Sequence, residues 1–354
     1  MKQKFFFLLL CCLLLLGGCQ ARTPEKLVAR ELNAIKNLDE KTIQNFVSYE
    51  DIVKNRSRNT DIGSNTTEAV QLFFKDFDYE ILSSSIGKDT ALVTAQIQTL
   101  DARSLAHDLC LELARKSILP DSSMAEQSMN AYFTILGDIL KKNTYELVSC
   151  EVHFELARME HGWSIQSTPT LEDELVGGLI TCLSDPYLIT PEELATATLD
   201  VFDGFSAEDW ITYLKMDDVF STGSKNAADT DRILAEKIAE NFSYQISQVK
   251  VEKDTATATA DIQSLDMHSV FSLFKEKLLS YAKTTESVLA SEEELADKSA
   301  SLLSLALQES QDCILRSVPL TFTNNGSGWE MTFGDNFGQV LLGGTEEALS
   351  TFAS

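Results

Sequence analysis

Two aspartates, Asp101 and Asp266, are the carboxylates whose placement in this chain could do chemistry. Each ends a matching stretch, Ile97-Gln98-Thr99-Leu100-Asp101 and Ile262-Gln263-Ser264-Leu265-Asp266. Each stands where an alternating, strand-like pattern gives way to a helical one. A carboxylate at a strand end, set in an apolar cavity, can act as a general acid or base because burial raises its pKa. An Asp at that point is also a preferred N-cap, its oxygen accepting from the first free helix N–H groups. The cap is the simpler reading. Burial and bonding partners separate the two: a catalytic carboxylate lies at the base of a pocket, whereas a capping one is held by helix amides.

The other ionisable residues offer less. The chain has four histidines, His107, His153, His161 and His268. His107 and His268 open the helices after the Leu-Asp pairs but are not at equivalent positions. His153 and His161 fall on one expected hairpin, too few ligands for a metal. Asp76, Asp78 and Glu80 alternate along a strand and could present oxygens to a hard cation. A solvated strand face explains them more simply, since a matching stretch carries Asn241, Ser243 and Gln245 instead. There is no Gly-rich phosphate loop, no H-E-x-x-H, no G-x-S-x-G and no Cys/His cluster with zinc spacing, so neither cofactor nor metal is expected. Cys110, Cys150, Cys182 and Cys313 are too few and too dispersed for a disulfide framework.

The thiol with a clear role is Cys19. Lys2 and Lys4 precede an unbroken apolar run, Phe5–Leu16, and then Leu16-Gly17-Gly18-Cys19. The run is well short of the roughly 20 residues that span a bilayer. Two basic residues, a short apolar core and small residues before a Cys resemble a secretory signal ending in the lipobox of bacterial lipoproteins. The resemblance implies cleavage after Gly18 and transfer of a diacylglycerol to the Cys19 sulfur. Residues 1–18 are then the signal peptide and 19–23 a lipidated N-terminus with a very short tether. The chain is expected at the cell membrane, lipid-anchored on its extracytoplasmic face. Acyl chains in pairs give stable anchoring where one is marginal.

Fifty-four acidic residues against 29 basic ones give a net charge of −25. Such a surface repels nucleic acid and anionic headgroups, and excludes both as electrostatic partners. Forty-four per cent apolar residues are enough for a sizeable core, and the length suits two domains.

A duplication with a period of about 166 residues organises the rest. Thr23-Pro24-Glu25-Lys26-Leu27 answers Thr190-Pro191-Glu192-Glu193-Leu194, and Phe77-Asp78-Tyr79-Glu80-Ile81 answers Phe242-Ser243-Tyr244-Gln245-Ile246. Lys88-Asp89-Thr90-Ala91 answers Lys253-Asp254-Thr255-Ala256, Gly162-Trp163 answers Gly328-Trp329, and Leu175-Val176-Gly177-Gly178 answers Leu341-Leu342-Gly343-Gly344. Each copy opens with a Thr-capped helix carrying Pro at its first position. A second short helix is expected through Ile43, Phe46 and Val47, and a third over Thr67–Lys75, with its counterpart at Asp231–Ala239. A hairpin follows, whose second strand turns Ala91, Val93, Ala95 and Ile97, or Ala256, Ala258, Ala260 and Ile262, to one face. A helical pair is inserted next. Its first member carries Leu105, Leu109 and Leu113; its second carries Met129, Tyr132, Leu136 and Leu140. Capping boxes open the second member at Ser123-x-x-Glu126 and Ser291-x-x-Glu294. Two strands ending in Gly-Trp close the unit, at 147–157 with 163–166 and at 316–323 with 329–333. The first repeat is assigned to 24–183, a linker to 184–190, and the second repeat to 191–349.

Helices before a curved antiparallel sheet closed by a Gly-Trp strand resemble the cystatin-like or NTF2-like cone. The string Ala260-Asp261-Ile262-Gln263-Ser264-Leu265-Asp266-Met267, the acidic helix from Ser291, Gly328-Trp329-Glu330-Met331, and Asp335-Asn336-Phe337 with the closing Gly pair are together similar to a family of uncharacterised lipoproteins of Gram-positive bacteria. The resemblance covers both copies and implies tandem α+β domains behind a lipobox. Its motifs are structural and carry over no catalytic residue. Three functions remain open: a non-enzymatic binding or adaptor module for an envelope protein or small ligand, an NTF2-like enzyme using Asp101 or Asp266 in its cone, and a structural spacer.

Replacing Cys19 by Ser is expected to release the protein from membranes or leave an unprocessed precursor. Fractionation and mass measurement of the variant check this; normal processing with unchanged membrane retention would remove the lipobox from the account.

Overall fold

The computed structural model describes residues 23–38, 64–118, 129–160, 162–216 and 227–352. The signal sequence with Cys19, the expected helix at Ile43–Val47, the Ser123/Glu126 capping box and His161 lie outside the described residues.

The described residues form an α+β protein of two compact units, which part between Leu188 and Ile189. The end of one long helix, from Ala114, groups with the second unit. The first unit contains α1 (Pro24–Lys36), α2 (Ser64–Phe73), β1 (Asp78–Ile86), β2 (Thr90–Leu100), α3 (Ala102–Ile118), α4 (Met129–Lys142), β3 (Leu147–Met159), β4 (Gly162–Ile165), α5 (Pro169–Leu175) and α6 (Leu179–Ser184). The second contains α7 (Pro191–Asp203), α8 (Ala207–Leu214), α9 (Ala227–Asn241), β5 (Ser243–Glu252), β6 (Thr255–Leu265), α10 (Met267–Ala282), α11 (Thr285–Leu289), α12 (Glu292–Glu309), β7 (Cys313–Asn324), β8 (Trp329–Phe333), α13 (Phe337–Leu341) and α14 (Thr345–Phe352).

Each unit holds one four-stranded antiparallel sheet in sequential order, β1-β2-β3-β4 and β5-β6-β7-β8. The registers coincide except at the bulge of the first strand. Tyr79 faces Ile97 as Tyr244 faces Ile262, and Leu156 faces Ile165 as Phe322 faces Met331. Both first strands carry one extra residue at nearly the same place, after Ile81 and after Ser247. Such a bulge bends its strand and increases the twist. The hydroxyl of Tyr79 donates to the Ala29 carbonyl (3.0 Å), and that of Tyr244 to Asp200 Oδ1 (2.5 Å) with the Thr196 carbonyl 3.3 Å away, both on the opening helix. One tether thus fixes the opening helix to the first strand in both units.

Alternation decides which face is covered. Ala91, Val93, Ala95 and Ile97 are buried in β2, and Ala256, Ala258, Ala260 and Ile262 in β6. Small side chains there let helices approach the sheet closely. The opposite face carries Thr, Gln, Ser and Glu and remains largely open to solvent, so each sheet has one dry side and one wet side. Beneath the first sheet lie Leu32 and Ile35 of α1, Leu105 and Leu109 of α3, and Phe154 of β3. Beneath the second, Phe202, Phe205 and Trp210 of the α7–α8 region pack with Phe242; the rings of Phe202 and Trp210 are stacked 5.7 Å apart.

Two expectations shift. The buried stripe of α4 runs through Phe133, Leu136 and Ile139, while Tyr132 and Leu140 flank it half-buried. The helix is rotated by about one position from the face its Tyr and Leu spacing suggested, because Phe133 offers more apolar area without a hydroxyl to satisfy. The helix expected at 67–75 begins at Ser64 and ends at Phe73, and its counterpart extends over Ala227–Asn241. Helix ends depend on caps and packing that periodicity does not encode.

Because each unit buries its own cluster, Phe154→Ala and Phe322→Ala should each remove about 3–5 kcal/mol from one unit only. Urea unfolding separates them: Trp163 reports on the first unit, Trp210 and Trp329 on the second. A single transition shifted equally by either variant would contradict two independent cores.

Candidate functional site

Asp101 and Asp266 occupy the same corner in their units, between the second strand and the long helix. The Asp101 amide donates to the Glu146 carbonyl (2.8 Å), and the Asp266 amide to the Asp312 carbonyl (2.8 Å), so the backbone of each is fixed across the sheet. Their side chains turn to the helices. Asp101 accepts from the Arg103 amide (3.0 Å), the Ser104 amide (3.3 Å) and the Ser104 hydroxyl (2.6 Å). Asp266 accepts from the His268 amide (3.0 Å). These are N-cap bonds, satisfying amides that the first helical turn leaves free. The Ser104 hydroxyl, desolvation acting against it, and the two amides together hold the Asp101 carboxyl below its ordinary value of 3.8. That is the opposite of what a general acid needs near neutral pH.

A glycine pair completes the corner. Gly177 and Gly178, like Gly343 and Gly344, have positive φ (66°, 80°, 61° and 76°). The closing segment makes the same bond in both units, from the Gly178 amide to the Asp173 carbonyl and from the Gly344 amide to the Gln339 carbonyl, each 2.8 Å. A Cβ on Gly343 would lie 1.9 Å from the Leu265 carbonyl oxygen, and one on Gly177 would lie 2.7 Å from the Thr99 methyl. The Gly343 carbonyl also accepts the Met267 amide (3.3 Å). The glycines are there because the backbone must double back against the capped helix start. Thr99 and Ser264, adjacent in both copies, are buried hydroxyls without a hydrogen-bond partner among the described residues.

The charged neighbours are not shared. Around Asp101 lie Arg103, which pairs with Asp185 (3.3 Å), and Asp173, which accepts from the Ile180 and Thr181 amides at the start of α6. The second corner has Arg316 paired with Glu347 (2.9 Å), with His268 3.9 Å from the same carboxylate. Repeated chemistry would require repeated partners. The capping Asp, its cross-sheet bond, the glycines and the buried hydroxyl of Thr99 or Ser264 recur; the charged partners do not.

The remaining candidates stand apart. Asp78 accepts from Lys36 Nζ (2.7 Å) and from the Tyr79 amide, and these bonds hold it below the usual carboxylate range. His153 lies exposed on the open sheet face, its Nδ1 3.2 Å from the Thr94 hydroxyl, and His107 lies 3.7 Å from Asp108. No group of three or more His, Cys, Asp or Glu among the described residues could hold a metal ion. Cys150, Cys182 and Cys313 are free thiols; burial raises the pKa of Cys150 and Cys182. Trp329 is buried beside its turn glycine, whereas Trp163 is half-buried with the Arg158 guanidinium 5.6 Å from its ring centre. In the sequence, the repeated Gly pairs suggest helix breakers or points of close backbone packing. A repeated Leu-x-Gly-Gly was visible, but not what it would touch.

No protein-family model matches the chain, and no curated protein matches it. Among solved structures it is similar to that of YcdA of Bacillus subtilis, described as a candidate lipoprotein, at 13% identity and a TM-score of 0.25, covering 73% of this chain and 90% of that one. A likeness at that score carries no argument about fold or function.

Asp101→Ala should cost about 0.5–2 kcal/mol at pH 6, the worth of a cap, and Asp101→Asn, which keeps a capping oxygen and loses only the charge, less than that. The folded pKa of Asp101 is depressed, so its contribution is present above 3.8 and lost as pH falls through the folded value. Wild type and the Asn variant should therefore converge in urea unfolding as the pH falls below 3.8 and through the folded value. Gly343→Ala should cost on the order of 3 kcal/mol from φ strain plus a backbone clash, against about 1 for Gly178→Ala, whose Cβ meets nothing. Equal costs for the two glycines would show that the close approach is not a constraint.

Proposed function

We propose that the chain is a lipid-anchored, extracytoplasmic lipoprotein whose two units act as a non-enzymatic binding or adaptor module of the cell envelope. Cys19 carries the lipid, and each unit is a derivative of the cystatin-like or NTF2-like fold with an inserted helical pair. The observation that carries the non-enzymatic part is the bonding of Asp101 and Asp266. The repeated carboxylates are engaged with helix amides, and Asp101 is driven towards the charged form. The anchoring part rests on Leu16-Gly17-Gly18-Cys19, together with the finding that no described helix is long and apolar enough to cross a membrane.

The duplication itself favours binding, because two linked modules raise effective concentration at a partner that both can reach. Acidic composition keeps nucleic acid and anionic lipid out of the list of partners.

Complementation separates an adaptor from an enzyme. In a strain lacking the gene, the double variant Asp101→Asn, Asp266→Asn should restore whatever phenotype the wild-type chain restores, provided both accumulate to equal levels. Loss of complementation by a folded, abundant double variant would favour the carboxylate-enzyme reading.

A further inference from the structure

The outer edge of β3 differs between the units in a way that concerns binding. In β3 the even-numbered residues bond towards β2, as the Arg158 amide does to the Asp89 carbonyl (2.9 Å), and the odd-numbered ones face the β4 side, as the Glu155 carbonyl accepting from Gln166 does (2.7 Å). β4 pairs only with Leu156–Met159, and Pro169 then starts α5, which lies against β3 but adds no described ladder bond to it. The N–H and C=O groups of Ser149, Glu151 and His153 therefore point outward, and no described backbone pairs with them. All three residues are exposed, and Leu147 and Val148 beside them are 48% and 40% exposed.

The second unit closes the same edge. Pro319 stands at the rung of His153 and has no N–H; its carbonyl accepts from Gly334 (2.8 Å), and the Ser317 carbonyl accepts from Asn336 Nδ2 (3.1 Å). A proline and a side-chain cap are the ordinary means of keeping a sheet edge from recruiting another strand. Their absence from one copy of a duplicated unit leaves that edge open.

We infer that the β3 edge of the first unit, at Ser149, Glu151 and His153, takes up an extended segment bearing alternating basic and small apolar residues. Deepening the adaptor reading on which it rests, this names the partner's chemistry. Strand addition supplies main-chain hydrogen bonds, and alternate side chains give specificity. On the wet face of β3 the charges are Glu151 and Glu155, with no Lys or Arg on that face of the strand; Asp78 and Glu80 lie two strands away on β1, Asp78 already paired with Lys36. Alternate residues of an added strand on that face would meet carboxylates, which calls for Lys or Arg there. The intervening residues would lie beside Val148 and half-buried Cys150, which calls for small apolar groups. A second copy of the chain fits poorly: pairing residues 147–155 with themselves antiparallel sets Glu151 opposite Glu151, and like charges directly opposite are destabilising.

The test uses the full chain in mild detergent and a blocked peptide of four Lys-Val repeats, with amide exchange and anisotropy as readouts. Binding should slow exchange at Ser149, Glu151 and His153. A peptide N-methylated on the bonding edge should not bind, although its charge is unchanged. His153→Pro, which mirrors Pro319 and removes only an outward N–H, should weaken binding at least about fivefold, one hydrogen bond's worth. Glu151→Lys, on the solvent face, should weaken it further; circular dichroism checks that both variants fold, and if the proline variant does not, the lysine variant decides. Equal binding by the N-methylated peptide, protection elsewhere, or indifference to both substitutions would overturn the assignment. So would self-association of the chain through this edge in place of peptide binding.

Discussion

A methyl group on Gly343 would sit 1.9 Å from the carbonyl oxygen of Leu265. That close approach of backbone to backbone fixes the closing corner of the second unit, as the contact of Gly177 with the Thr99 methyl does in the first. A sheet with one apolar face must be covered. The long helix that covers it starts abruptly at the end of the second strand, with Asp101 or Asp266 satisfying its first amides. The closing segment must then return to this corner to bury Leu175 and Val176, or Leu341. A glycine pair at positive φ lets it arrive: a Cβ on Gly343 would strike the Leu265 carbonyl, and one on Gly177 the Thr99 methyl. Capping carboxylate, cross-sheet amide and double glycine are one joint, made twice.

Much of this was legible in the chain itself. The repeated strings located both sheets, and alternation through Ala91–Ile97 and Ala256–Ile262 identified the covered face. Ser291 and Glu294 announced a capping box that is present, with the Ser291 amide donating to Glu294 Oε2 (2.8 Å). What stayed hidden depends on contacts distant in sequence. Trp210 is fully buried among Phe202, Phe205 and Phe242; Ser206-x-x-Asp209 marks the start of its short helix, but nothing local shows that the helix is buried rather than on the surface. The rotation of α4 follows from Phe133 meeting a core that periodicity cannot show. The candidate site was half legible: a Leu-Asp pair before a helix suggested a cap, but its partners Ser104 and the glycine turn are known only from the fold.

The two units also serve as each other's control. Register, bulge, tyrosine tether and corner are common to both, so they belong to making the fold. Charged residues at the corner and groups at the outer sheet edge differ. Arg316 stands where Cys150 does, and Pro319 where His153 does. Features freed from the shared design are where a function particular to this chain is to be sought, and they lie on surfaces rather than in a pocket around the repeated aspartates.

The direct measurement of the central claim, that the repeated carboxylate is a structural cap, is the titration of the Asp101 side-chain carboxyl carbon by NMR in the folded protein. The account predicts a midpoint below 3.8, with the Ser104 hydroxyl and the helix amides holding the charged form. A midpoint raised into the range of about 5–7 would mark a desolvated acid poised for proton transfer, and would contradict it.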